Sequence, residues 1–317
     1  MICPICSGDA CLAFCDLYDD RYGYPGLYDI FACNSCGHLF LDADFAQAEL
    51  SNLYTNYYPR RTFDVENYTP HQEARGFRAW LNGNRRSAYL WVPRNVRVLD
   101  IGCGFGESLG YHAARGCDVY GVEADENIRR VADRYGFQVQ VGVFDPALFQ
   151  DNYFDVLTMD QVIEHVANPL DVFRGISRVL KPGGLAILST PNPEGWGSRV
   201  FRKKWINWHV PYHLHHFSSA SLDICADTAG LVVEARKTIT SSEWLYYQWL
   251  HLMTCPKEGS PSVFWNQQVR LRDLKTWVKY LPILLHRLKV NHAITRCMDA
   301  MGVGDNRLIF LRKPKLP

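Results

Sequence analysis

The sequence is missing several features that would assign it quickly. Charge of one sign is absent: 34 Lys plus Arg face 33 Asp plus Glu, a net charge of +1 over 317 residues, so no basic excess announces a nucleic-acid partner. No long apolar run exists. The longest apolar cluster, residues 280–285, falls far short of a membrane span and contains Pro282. No apolar segment follows a basic start, which argues against a signal peptide. Internal repeats and low-complexity tracts are absent as well. What remains is a chain long enough for one large domain or two small ones, with 47% hydrophobic residues to build a core. Its 11 cysteines, in a chain with no mark of export, point to a reducing, cytoplasmic setting in which they serve as metal ligands or small buried residues.

Residues 97–123 carry the strongest pattern. Val98, Leu99 and Ile101 read as a buried strand, Gly102, Gly104 and Gly106 as a tight turn, and 107–115 as a helix that Gly116 stops. A second strand over 119–122 ends on Glu123. Glycines let backbone press against a ligand where a Cβ would intrude, and an acid at the tip of the second strand suits ribose hydroxyls. A dinucleotide fingerprint is lacking. Counted from Gly102, G-x-G-x-x-G needs glycine at 107, where Glu107 stands. The pattern is instead Asp100-x-Gly-x-Gly-x-Gly.

At the start of the chain, Cys3-Pro4-Ile5-Cys6 is answered by Cys33-Asn34-Ser35-Cys36-Gly37. Two C-x-x-C pairs offer four thiolates to one tetrahedral zinc, and a full thiolate set leaves no open position, so Cys3, Cys6, Cys33 and Cys36 predict a structural Zn2+. The long gap between the pairs is explained by a hairpin-like insertion such as 16–28. Cys11 and Cys15 read as packed thiols. Ala46, Leu50 and Leu53 then recur at helical spacing over 46–54, before Tyr57 and Tyr58, which are either core or part of an acceptor wall. Residues 72–88 read as a helix with Arg85 and Arg86 on a solvated face.

Beyond Glu123 the alternation continues. A helix over 126–135, a strand over 137–144 ending at Asp145, and a strand over 154–160 ending at Asp160 are followed by Asn168-Pro169, an N-cap with proline at the first helical position. A Lys181-Pro182-Gly183-Gly184 turn leads to a fifth strand over 185–190. A long loop over 194–217, rich in Trp and His, leaves the carboxyl edge of the sheet, where open α/β folds bind ligands. A helix opened by Ser218 or Ser219, a sixth strand over 231–239, an aromatic insertion over 240–303 and a closing strand over 307–312 complete the chain.

The glycine pattern resembles the first motif of class I S-adenosylmethionine (SAM)-dependent methyltransferases, in which the acid and the glycine turn hold the methionine end of SAM. The resemblance widens with Asp160, Ile163-Glu164-His165-Val166, Leu180-Lys181-Pro182-Gly183-Gly184 and Ser189-Thr190-Pro191-Asn192, which stand in the order seen in ubiquinone-pathway O-methyltransferases. The C-x-x-C-G segment is similar to the N-terminal zinc ribbon of many bacterial sugar and small-molecule methyltransferases. These resemblances imply an α/β, Rossmann-like, doubly wound, seven-stranded sheet with an antiparallel last strand, plus a small N-terminal zinc ribbon and a helical lid insertion. The expected organisation is zinc ribbon 1–45, helical acceptor-side linker 46–94, SAM-binding core 95–240, insertion 241–303 and closing strand 304–317. The insertion is a lid, a dimer contact or, from its interleaved Arg270, Arg272, Lys275 and Lys279, a membrane-surface contact.

The resemblance also implies SAM contacts for Asp100, Gly102, Cys103, Gly104, Gly106, Glu123, Ala124, Asp145, Asp160 and Gln161. The implied reaction is O-methylation of a small molecule, a sugar or glycan, since aromatic faces stack on sugar rings. A histidine near neutrality suits the task of general base. His213, in Pro211-Tyr212-His213-Leu214-x-x-Phe217, resembles a recurrent segment of these enzymes and is the first candidate; His209 and His216 follow, with His165 and Asp160 beside the transferring methyl. Each of these histidines has an alternative reading as a packing residue. Nothing in the spacing demands a catalytic metal built from Asp160, Glu164 and histidines. Alternatives for the whole chain are a sugar C-methyltransferase, whose relatives are longer, or a zinc-ribbon protein directed at RNA. Asp9, Asp16, Asp19, Asp20 and Asp29 make the ribbon acidic and argue against phosphate contact.

Overall fold

The computed structural model describes residues 1–43, 45, 49, 53–57, 65–265 and 276–315. Most of the helix expected over 46–54, together with Tyr58, Arg270, Arg272 and Lys275, lies outside the described residues.

Three strands open the chain: β1 (Ala10–Leu17), β2 (Tyr28–Cys33) and β3 (Leu39–Leu41). The main sheet is built from β4 (Arg97–Ile101), β5 (Asp118–Glu123), β6 (Gln138–Val141), β7 (Phe154–Asp160) and β8 (Leu180–Pro191). After β9 (His215–His216), β10 (Val232–Thr238) and β11 (Asn306–Arg312) complete it. Its order is β10-β11-β8-β7-β4-β5-β6, with β4, β5, β6, β7 and β8 mutually parallel and β11 antiparallel between β8 and β10. This is the expected Rossmann-like, doubly wound, seven-stranded sheet with an antiparallel last strand. Central strands buried on both faces should be apolar throughout. Val98, Leu99, Leu157, Met159, Ala186, Ile187 and Leu188 are all fully buried.

Three boundaries differ from the sequence reading. The helix expected over 72–88 is only Gly76–Asn82, because Gly83 turns left-handed (φ 71°). A Cβ on Gly83 would lie 2.1 Å from the Thr240 carbonyl oxygen, so the stop is also a close approach of two segments of the backbone. The third strand ends at Val141, before Gly142 at φ 125°. Strand β8 begins at Leu180 and absorbs the Lys-Pro-Gly-Gly turn.

The larger difference concerns the N-terminal unit. Its strand β3 pairs antiparallel with β9, giving a second sheet of order β1-β2-β3-β9. Cys3, Ile5, Cys33, Cys36 and Phe40 belong to the same apolar cluster as Leu99 and Leu157 of the main sheet and Phe217 after β9. Residues 46–94 and the insertion are joined in the same way. Helix Val290–Ala300 meets Gly76–Asn82 through Arg296 Nη1 to Trp80 O (2.6 Å) and a contact between His292 Nε2 and Asn82 Oδ1 (3.0 Å), and helix Ser242–Met253 meets it through the Ser242 hydroxyl, which donates to Asn82 O (3.4 Å). Thr276–Arg287 and the turn after it present Tyr280, Leu281, Leu284 and Leu288 outward. No helix among the described residues is long and apolar enough to cross a membrane.

One buried group in helix Glu107–Ala113 makes stability depend on pH. His112 is fully buried, neither ring nitrogen has a partner among the described residues, and burial holds its pKa at about 3. The folded pKa lies below the unfolded one, so this contribution to stability is present above about 6.5 and is lost as pH falls toward 3. Replacing His112→Leu removes the titration. The difference in unfolding free energy between variant and native protein should therefore move in favour of the variant by about 1.4 kcal/mol per pH unit below pH 6.5. Denaturant melts at pH 7, 6 and 5 measure this; a pH-independent difference contradicts it.

Candidate active site

Strands β4 and β7 are neighbours, and the segments leaving their carboxyl ends share one edge. At the end of β4 the chain turns on Gly102, Gly104 and Gly106, all left-handed. Gly102 and Cys103 donate their N–H groups to Val122 O (2.8 and 3.1 Å), which pins the turn against β5. A Cβ on Gly102 would strike Val162 Cγ2 at 2.3 Å, whereas one on Gly104 would meet nothing within 4 Å. Gly104 therefore offers bare backbone to open space. Its N–H donates to Glu123 Oε2 (2.8 Å), while Glu123 Oε1 accepts from Asp125 N–H (3.0 Å). A carboxylate has about four acceptor sites, so Glu123 retains capacity for a ligand.

Asp100 is buried beneath the turn. Its oxygens accept from the hydroxyls of Ser108 and Thr158, the latter at 2.6 Å, yet burial still pushes its carboxyl up to about 7. Tyr68 closes over the turn from the other side by donating to Gly106 O (2.6 Å). The Cys103 thiol is turned into the sheet, where a Cβ on Gly121 would lie 2.8 Å from its sulfur, so at this residue only the backbone belongs to the turn. Ala124 is exposed beyond Glu123. Asp145 lies past β6, and its carboxylate accepts from Ala147 N–H (2.9 Å) as the cap of a short turn.

At the end of β7, Asp160 Oδ1 accepts from Ala88 N–H (3.0 Å) and from the Ser189 hydroxyl, fastening the segment before β4 across the edge. Gln161 stands at φ 58° and donates to Ser189 Oγ (3.1 Å) and Asn306 Oδ1 (2.8 Å). Glu164 is fully buried, accepts from the Thr190 hydroxyl (3.1 Å), and is pushed by burial up to about 8.

The Trp- and His-rich segment after β8 is a buried wall and not an open loop. Trp205, Trp208, Tyr212, His209, His213, His215 and His216 are all buried. The expectation that its aromatics face an acceptor gives way to packing: Phe14 lies against Trp208, Trp205 against Trp208, and Tyr22 against Tyr212. Burial lowers every one of these histidines, His165 and His215 to about 4, His216 to about 3, and His209 and His213 well below the ordinary value. His165 Nδ1 meets Tyr212 O and His213 Nδ1 meets Asn207 O, both at 2.9 Å. His213 Nε2 lies 3.4 Å from His209 Nδ1. His216, in β9, has neither ring nitrogen partnered among the described residues and sits edge-on to Trp208. A cavity of about 160 Å³ lies behind His209, lined by Asp16, Tyr18, Asp20, Lys204 and Trp208.

In the ribbon, Cys3 Sγ lies 3.7 Å from Cys36 Sγ and Cys6 Sγ 3.4 Å from Cys33 Sγ, with all four sulfurs within 4.8 Å of one another. A tetrahedral ion with bonds of about 2.3 Å separates its sulfurs by about 3.8 Å. The four thiols fit such an ion.

A family model described as a methyltransferase domain matches residues 71–236, more than half of the chain. The chain belongs to the class I SAM-dependent methyltransferases. This methyltransferase is 32% identical over 165 residues to the ubiquinone biosynthesis O-methyltransferase of Xanthomonas axonopodis pv. citri, covering 48% of this chain and 69% of that one. Its identity to the corresponding protein of Maricaulis maris is 36% over 131 residues, covering 38% of this chain and 52% of the relative. The chain spans about half the length of several curated relatives it matches. Among solved structures it is similar to the putative methyltransferase of Haloferax volcanii in complex with the Trm112 activator, at 18% identity and a TM-score of 0.48, covering 75% of this chain and 91% of that chain.

Some residues that shape this edge escaped the sequence reading. Asp19, read as surface charge, is fully buried and accepts from the N–H groups of Arg21, Tyr22 and Tyr24 (2.9–3.0 Å), while Asp20 pairs with His251 (3.0 Å). Tyr57 stacks edge-on with Tyr24 and is core. Ser218, read only as a helix cap, also donates to Cys36 O and so joins the thiol knuckle to helix Ser219–Thr228, whose Ser221 N–H it accepts (3.0 Å). Ser218→Ala removes both bonds inside the core. It should lower unfolding free energy by about 1–2 kcal/mol, a loss read as an earlier denaturant midpoint; an unchanged midpoint contradicts this linkage.

Proposed function

We propose that the protein binds SAM on the glycine turn and transfers its methyl group to a hydroxyl of a small molecule, a sugar or glycan. Cys3, Cys6, Cys33 and Cys36 hold a structural Zn2+ in this reading. The observation that carries it is the open left-handed backbone at Gly104, set between the buried Asp100 and the half-buried Glu123 at the carboxyl edge of a methyltransferase sheet. SAM supplies a methyl already activated on a sulfonium, so the protein's task is alignment and the removal of one proton.

The residues divide that task. Gly102, Gly104 and Gly106 shape the bed, and Glu123 takes the ribose hydroxyls with the lone pairs that Gly104 and Asp125 leave open. Asp100 places negative charge under the cationic end, while Asp160 and Gln161 hold the floor between the turn and the acceptor. The hydroxyl proton leaves toward His165, His209 and His213, which burial keeps neutral and so able to take up positive charge only with help from nearby acids. The sugar reading is supported by the small cavity beside His209, lined by Asp16 and Asp20, whose carboxylates can accept from hydroxyls, and by Tyr18.

Gly104→Ala tests the bed. No protein atom stands in the way of the added methyl, so stability should fall by about 1 kcal/mol from the positive φ alone. SAM affinity, measured by calorimetry, should fall at least 10-fold. Native protein that takes up no SAM overturns the reading. With labelled SAM and a panel of glycans and nucleotide sugars, mass spectrometry should place the label on oxygen; label on a sugar carbon or on RNA assigns the chain to those chemistries instead.

A further inference from the structure

The group formed by the buried Glu164 and His213 with the half-buried His165 has the composition of a metal site. One ligand atom from each lies within 4.8 Å of the other two. Ligands bound at about 2.0–2.2 Å lie no more than about 4.3 Å apart, so small side-chain adjustments bring all three onto one ion. Two imidazoles and a carboxylate form a three-ligand face that divalent zinc and its first-row neighbours accept, with coordination positions left open.

Two independent features point to a cation there. Glu164 is fully buried, and its Oε1 has no hydrogen-bond partner among the described residues, although Oε2 is taken by Thr190. A buried carboxylate oxygen without a donor is costly unless something positive meets it. The histidines are also fixed in the manner of metal ligands. Each spends Nδ1 on a main-chain carbonyl, His165 on Tyr212 O and His213 on Asn207 O, both at 2.9 Å. That outer bond selects the tautomer whose Nε2 is free to bind a metal. The two rings meet edge to face, with centroids 4.6 Å apart.

We propose that Glu164, His165 and His213 bind one divalent transition-metal cation, distinct from the ion of the four cysteines, and that its open positions face the methyl acceptor. His165 is the one member of the three that is not buried, so the site opens on its side. His165 and His213 are then ligands and not general bases, and the 3.4 Å contact of His213 with His209 gives way to the ion. The chemical part rests on the methyl-transfer reading. An acceptor hydroxyl bound to the cation loses its proton to solvent at lower pH. Its oxygen then forms the new bond to the methyl carbon while the carbon–sulfur pair returns to sulfur, with no oxidant or reductant required.

The test uses the full-length protein, stripped with chelator and reloaded with Co2+, with metal counted by mass spectrometry and read by absorption. Two equivalents are expected: one with thiolate charge-transfer bands, lost in Cys33→Ser, and one with only nitrogen and oxygen bands, lost in Glu164→Gln and in His213→Ala. Each of the latter variants should bind the second ion at least 10-fold more weakly. Calorimetric SAM binding and the thiolate bands, both retained, show that they are folded. Should either variant unfold, His165→Ala, on the exposed side, replaces it. Native protein holding only the thiolate-bound equivalent overturns the site, as do variants that keep both. If SAM binds and methyl is transferred with one equivalent bound, the site fails and the function stands; if both equivalents bind and SAM does not, the function fails and the site stands.

Discussion

The main chain of one residue, Leu214, ties the two sheets of this methyltransferase together. Leu214 donates its N–H to Glu164 O (2.8 Å) after β7 and accepts from Leu41 N–H (2.9 Å) at the end of β3. The chain on either side has little freedom left. His215 and His216 pair with Phe40 and Leu39, Phe217 enters the main core, and Ser218 grips the Cys36 carbonyl. Without the N-terminal sheet, β9 would be an unpaired edge, and an unpaired edge is a liability that folds cover. The ribbon therefore acts as the back wall of the histidine segment, and a structural ion within it would stiffen that wall from a distance.

The parts of this arrangement legible in the chain are those whose cause is local. Asp100 and the three glycines announce their turn because close backbone approach and positive φ leave few alternatives. The four cysteines announce a knuckle because each pair closes on itself within four residues. The burial of the histidine segment is not legible because its partners are remote. His38 touches His215 across 177 positions (3.1 Å), and Tyr212 reaches Asp19 across 193. Period and propensity carry no trace of such contacts, and a run of Trp, His and Pro has the composition of a surface loop until a second sheet covers it. Asp19 was misjudged for the same reason: a charge that caps three main-chain N–H groups looks in sequence like any solvated carboxylate.

Desolvation then decides what this edge prefers to bind. Burial pushes Asp100 up to about 7 and raises Glu123 above its ordinary range, while it lowers the neighbouring histidines. Burial thus opposes ionisation of these carboxyls, and no protonated imidazole stands by to compensate. A cationic ligand supplies what is missing. By linkage it binds with release of protons from these carboxyls, so its affinity rises as pH climbs toward and past 7, whereas a neutral ligand of the same shape gains nothing. Transfer of a methyl from sulfonium converts the one kind of ligand into the other. Acids that hold a charged donor on the glycine turn would, by the same physics, release its uncharged product.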